Sequence, residues 1–291
     1  MVATTLAAST ACLVRRRKLD STGRAGLPLL TAGLEELAGS LRQRYEALET
    51  LTATVDLEPS IISPRKGEIA DYKDVRGYIL LSRPEWIRVI ALYPLLRGTA
   101  LDMVSDGKTF RLHLPLRNLF LTGENRVDKP SPHKLENLRP QHLLEALIIR
   151  PPEAGAEQAV FENWTDGGGA SYLMHVLRRD GAGRLLLARR VWFDRSSLEV
   201  ARQQLFDAAG DPVTDVRYGG WERRDGFSFP RQLRISRPKD EYELSIRFLK
   251  TTFNEPLGED RFQLAPPPGV RVRRVGESSD QPPANGDPLR D

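Results

Sequence analysis

Four histidines, one cysteine and a scatter of carboxylates are the residues in this chain best suited to chemistry. His113, His133, His142 and His175 stand far apart and in no H-E-x-x-H spacing, so no helix face gathers them around a metal. His113 and His175 fall in strand-like runs and read as ordinary sheet-face residues. Ser63-Pro64-Arg65-Lys66 spells S-x-x-K, the pattern of a serine nucleophile with its lysine. That chemistry needs a helical turn between the two, and Pro64 disfavours it. Gly167-Gly168-Gly169 lacks the following Lys-Ser/Thr of a phosphate cradle, and Asp102, Asp106 and Asp128 lack calcium-loop spacing. The expectation is a protein that is not an enzyme, with no catalytic set, metal or cofactor.

The lone cysteine, Cys12, rules out a disulfide framework and a cysteine-based zinc site. Its position carries more. The chain opens with small and apolar residues, reaches Ser9-Thr10-Ala11-Cys12, and then turns basic at Arg15-Arg16-Arg17-Lys18. This resembles the end of a bacterial lipoprotein signal peptide, where a small residue precedes the cysteine that is lipidated. The resemblance implies that residues 1–11 are signal and that Cys12 is the membrane anchor. Leu13 stands where an aspartate marks inner-membrane retention in some bacteria, which favours the outer membrane.

Hydrophobic residues make up 40% and charged residues 28% of the 291, the balance of a globular chain. The 43 Lys+Arg and 39 Asp+Glu interleave throughout, without the basic stripe of a nucleic-acid binder. No stretch approaches the roughly 18 consecutive apolar residues of a membrane-spanning helix.

Residues 12–30 read as a tether. Leu34, Leu37, Leu41, Tyr45 and Leu48 then recur at three- and four-residue spacing and predict a helix, with Glu35 and Glu36 early and Arg42 and Arg44 late, as the helix dipole favours. From Thr50 the period changes to two, with Leu51, Ala53, Val55 and Leu57 alternating with polar residues. Further strands are predicted at Gly77–Ser82, Trp86–Leu92, Thr99–Ser105, Thr109–Leu114 and Asn118–Thr122. Pro140 opens a second helix that Pro151-Pro152 ends. Strands resume at Ala170–Arg178, Leu185–Phe193, Glu199–Phe206, Val213–Tyr218, Ser228–Ser236 and Tyr242–Thr251, and residues 276–291 read as a disordered tail. The sum is a mainly β domain over residues 31–275. Roughly 11 or 12 strands form an incomplete, strongly curved antiparallel β-barrel, its apolar cavity covered by an N-terminal and a mid-chain helix.

Several phrases in this order, "GYILLSRPEWIRV", "TALDMVSDGKTFRLHLP", "LRPQHLLEALI", "VWFDRSSLEVARQQLFDAAGDP" and "DRFQLAPPPGVRV", resemble the LolA/LolB superfamily. These are the periplasmic lipoprotein carrier and outer-membrane lipoprotein receptor of Gram-negative bacteria. The resemblance implies a cavity that takes lipoprotein acyl chains without covalent chemistry. It also implies transfer to, or sensing at, the outer membrane by a monomer in the periplasm. Exposed acyl chains cost roughly 0.8 kcal/mol per methylene in water, so transit requires such a cavity. The receptor carries a protruding Pro-Leu-Gly loop. Pro94-Leu95-Leu96-Arg97 falls at the matching place and is the expected membrane-touching tip, with Arg97 toward lipid phosphates. Trp86, Val89, Ile90, Leu92 and Met103 are the cavity candidates, and Leu143, Leu144 and Leu147 the lid candidates. The alternative is a membrane-tethered envelope scaffold that binds a protein partner through the same fold.

Overall fold

The computed structural model describes residues 28–63, 68–71, 74–93, 98–125, 137, 139–166, 169–224 and 226–275. Cys12, Pro94-Leu95-Leu96-Arg97, His133, Asp128, Pro64–Lys66, Gly167-Gly168 and the 276–291 tail lie outside the described residues.

The first helix is α1 (Leu34–Ala47). It is followed by β1 (Thr50–Ser63), β2 (Glu68–Asp71), β3 (Val75–Ser82), β4 (Trp86–Leu92), β5 (Thr99–Ser105), β6 (Thr109–Leu114) and β7 (Leu119–Glu124). Helix α2 (Pro140–Leu147) interrupts the strands. They resume as β8 (Glu157–Asp166), β9 (Gly169–Arg179), β10 (Leu185–Asp194), β11 (Val200–Phe206), β12 (Pro212–Arg224), β13 (Phe227–Arg237), β14 (Tyr242–Phe253) and β15 (Arg271–Arg274).

These strands form one open sheet in the order β15-β7-β6-β5-β4-β3-β1-β14-β13-β12-β11-β10-β9-β8, with β2 on β1. Strand β1 joins two meanders: Leu51 lies opposite Leu81 of β3 on one side and Phe253 of β14 on the other. Its alternation explains the choice of face, since Leu51, Ala53, Val55 and Leu57 are buried and the intervening residues are not. The mainly β, open and curved architecture with two covering helices agrees with the reading of the sequence.

Each helix covers part of the inner face. A helix of fourteen residues is marginal alone in water, so α1 is held by its apolar face. Leu37, Ala38 and Leu41 pack on Tyr172, Met174, Val191, Phe193 and Val200 from β9, β10 and β11. In α2, Pro140 takes the first turn, where its missing N–H costs nothing. Leu143, Leu144, Ala146 and Leu147 sink into the larger core beside Ile79, Val89, Met103 and Leu233. Each fully buried leucine contributes about 1.5–3 kcal/mol.

Three strands differ from expectation. β2 is four residues long and β15 is mostly arginine, so neither carries an alternating pattern. β15 also pairs parallel to β7, through contacts that only the folded chain brings together. β8 is exposed on both faces over residues 160–165, which removes the burial contrast that makes a strand readable.

Candidate functional site

The C-terminal end of α1, the end of α2 and strands β12 and β13 together line an apolar groove. Leu41, Tyr45 and Leu48 form one wall, and Ala146, Leu147, Ile148 and Ile149 the other. Tyr218, Trp221, Phe227, Phe229 and Leu233 form the floor. The space between the walls is narrow, about 50 Å³, and opens to solvent at its mouth. Among the described residues, Arg44 and Ser228 are its only polar side-chain groups apart from the tyrosine hydroxyls and the Trp221 indole N–H.

Tyr218 and Trp221 both reach this floor although they are three residues apart, which strict strand alternation forbids. Gly220, between them, takes φ +65°, a left-handed conformation that a glycine adopts without strain and that resets the alternation. Aromatic rings continue the floor. Phe229 meets Phe248 edge-on at 5.0 Å, and Phe227 stacks on Phe253 at 4.9 Å.

Most polar groups around the groove hold its walls. The Tyr218 hydroxyl donates to the Ala146 carbonyl at 2.7 Å and ties the end of α2 to β12. Burial pushes the Tyr218 phenol well above its ordinary value, so it stays a neutral donor. The Trp221 indole donates to Val200 O at 2.8 Å. On the other wall the Arg44 guanidinium lies 4.9 Å from the centre of the Trp221 ring and forms an ion pair with Glu199. Glu199 also accepts from Ser228 Oγ at 2.7 Å. No group here is arranged as a nucleophile with its base. Among the described residues no three His, Cys, Asp or Glu side chains are placed to hold a metal.

A second polar cluster flanks α2. His142 Nδ1 and the Tyr242 hydroxyl share a hydrogen bond at 2.9 Å. Burial, and then the charges of Arg237 and Arg139, hold the His142 imidazole well below its ordinary value, so it is neutral at pH 7. Burial raises the Glu145 carboxyl, opposed by Arg237 and Arg150. Arg237 is itself paired with Asp240 at 2.5 Å. This cluster fixes the polar side of α2 as the leucines fix its apolar side.

Of the residues singled out from sequence, Leu147 lines the groove. Val89, Met103, Leu143 and Leu144 lie in the core beneath and around α2. Trp86, Ile90 and Leu92 occupy the other face of β4, because Ile87, Val89 and Ala91 take the buried positions. At the Trp86 end that outer face is covered by the Leu257–Leu264 segment, with Trp86 5.8 Å from the Phe262 ring. The 94–97 loop lies outside the described residues, but its base is closed by Tyr93 N–H donating to Gly98 O at 2.8 Å. Sequence reasoning missed Arg44, Tyr218, Trp221, Phe227 and Phe229. The Tyr-Gly-Gly-Trp run at 218–221 was the available signal.

No family model matches the chain, and no curated protein matches it. Solved structures do. A DUF1329 family protein from Desulfovibrio piger superposes with a TM-score of 0.52 at 12% identity, over 78% of this chain and 94% of its own. A domain from Vibrio parahaemolyticus described as an outer membrane lipoprotein-sorting protein gives the same TM-score, identity and coverage. A LolA superfamily protein from Nitrosomonas europaea gives 0.50 at 13%, over 78% and 97%. The fold is LolA-like. Within this LolA-like fold the helices cover the concave side of the sheet, and the groove is the seam they leave.

Proposed function

We propose that the groove takes lipid acyl chains, free or as the anchor of a lipoprotein, and that the protein binds them non-covalently in the bacterial envelope for transfer to, or sensing at, the outer membrane. The observation that carries this reading is the lining: two helices and a floor of aromatic rings line an apolar seam, which a chain enters as the walls part. At roughly 0.8 kcal/mol per buried methylene, such a lining holds a chain without a covalent bond. The Vibrio neighbour's description as a lipoprotein-sorting domain supports the same direction. Cys12 is the proposed lipid anchor, and Leu95 and Leu96 the proposed membrane-touching tip. Leu95→Glu with Leu96→Glu is expected to impair transfer to membranes while leaving the fold intact.

Native mass spectrometry of the Cys12→Ala chain with a triacylated lipopeptide tests the reading. One lipopeptide per chain, displaced by Leu147→Glu in the groove wall, is the expected result. A chain that stays unliganded at saturating lipopeptide overturns it.

A further inference from the structure

Among the described residues the sheet ends in β15 on one side and β8 on the other, and these two edges are built differently. β15 is four residues long and carries Arg271, Arg273 and Arg274, the short, charged kind of edge that discourages pairing. β8 is ten residues long and is hydrogen-bonded on one side only, to β9, from Glu157↔Arg178 to Asp166↔Gly169. Among the described residues no strand pairs with its outer side. It contains no proline, lysine or arginine. Val160 is 54% exposed, Phe161 37% and Trp164 42%. Val160 and Trp164 share one face of the sheet and Phe161 lies on the other, so an approach along the edge meets all three.

We propose that the outer edge of β8 binds an extended segment of a protein partner, one that carries lysine or arginine among apolar residues and adds to the sheet as a further strand. The backbone argues for a strand: a row of unpaired N–H and C=O groups is satisfied by another strand, whereas a bilayer interior leaves it unpaired. The charge argues for a basic one. β8 holds Glu157, Glu162 and Asp166 and no base. Glu157 is taken by Arg189 at 2.8 Å, while Glu162 meets His175 at 3.3 Å and keeps half of its side chain in solvent. A second copy's β8 brings acid to acid, which disfavours self-pairing, and a lysine or arginine opposite Glu162 complements it. The apolar residues on both faces of the edge give the partner's alternating side chains something to pack on. This site is separate from the groove and does not depend on it.

The test is a titration of the isotope-labelled full chain with a soluble peptide of alternating valine and lysine matched to β8 in length, followed by amide exchange and NMR. Protection of alternate β8 amides and a shift of the Trp164 indole are expected. The valine–glutamate counterpart should bind roughly tenfold more weakly. Val160→Lys with Glu162→Lys, both at exposed positions, should abolish the response with unchanged thermal unfolding. The proposal is overturned by unprotected β8 amides at millimolar peptide or by equal binding of the acidic counterpart. It is equally overturned if the β8 signals respond to self-association or to phosphatidylglycerol vesicles instead.

Discussion

The two helices that wall the groove are seated in different ways. α2 is sunk: five of its eight residues are buried, a tyrosine hydroxyl holds its last turn, and the His142–Tyr242 bond holds its polar side. α1 is laid on the sheet: three of its fourteen residues are buried, and its groove end is fastened by the Arg44–Glu199 ion pair against Trp221. Neutral hydrogen bonds inside a packed core resist opening because breaking them strands buried polar groups. An ion pair at the mouth of a groove that opens to solvent gives way more cheaply than that, since water can solvate both charges once they part. If the groove takes a chain as proposed, the comparison predicts that α1 is the wall that moves to admit it and α2 the wall that stays.

The largest expected effect lies on the fixed wall. Leu144→Ala, deep under α2, should cost about 3–5 kcal/mol of global stability, whereas Leu41→Ala should cost nearer 2 because it borders space already present. Denaturant unfolding of the two variants measures the contrast, and equal losses break it. Next comes Glu199→Gln, which leaves Arg44 without its counter-charge. With both side chains mostly buried and Glu199 Oε2 shielded from solvent, the cost is about 1–3 kcal/mol, and it should appear as faster amide exchange in α1 while α2 exchanges as before. Uniform acceleration of both helices contradicts the assignment.

The smallest effect is a pH dependence. The folded protein holds His142 below its ordinary 6.5, so the unfolded chain binds the proton first. Its contribution is therefore complete above about pH 6.5 and is lost as pH falls through that value toward the folded one. Glu145, with its folded value raised, works in the opposite direction, so the informative quantity is a difference between variants. Between pH 7.5 and 5.5 the melting temperature of the parent chain should fall more than that of His142→Gln. Parallel curves would remove His142 from the account.

Much of the scaffold was legible in the sequence. The heptad-like leucines of α1 and the alternation in β1 report burial directly, because one face of each element meets the core and the other meets water. The groove was not legible. Its floor depends on the left-handed Gly220, which brings Tyr218 and Trp221 to one side against the strand's own period. β4 is apolar on both faces: Ile87, Val89 and Ala91 enter the main core, while Trp86 on the other face packs on Phe262, far along the chain. β8 was missed for the opposite reason: an edge exposed on both sides has no pattern to read.

The most direct test of the moving wall is hydrogen exchange of α1 and α2, read residue by residue, with and without a triacylated lipopeptide. Occupancy of the groove should change exchange across residues 35–47 and shift the Trp221 indole, while residues 141–147 keep their rates. Binding that leaves α1 and Trp221 untouched, or that loosens α2 instead, would contradict the account.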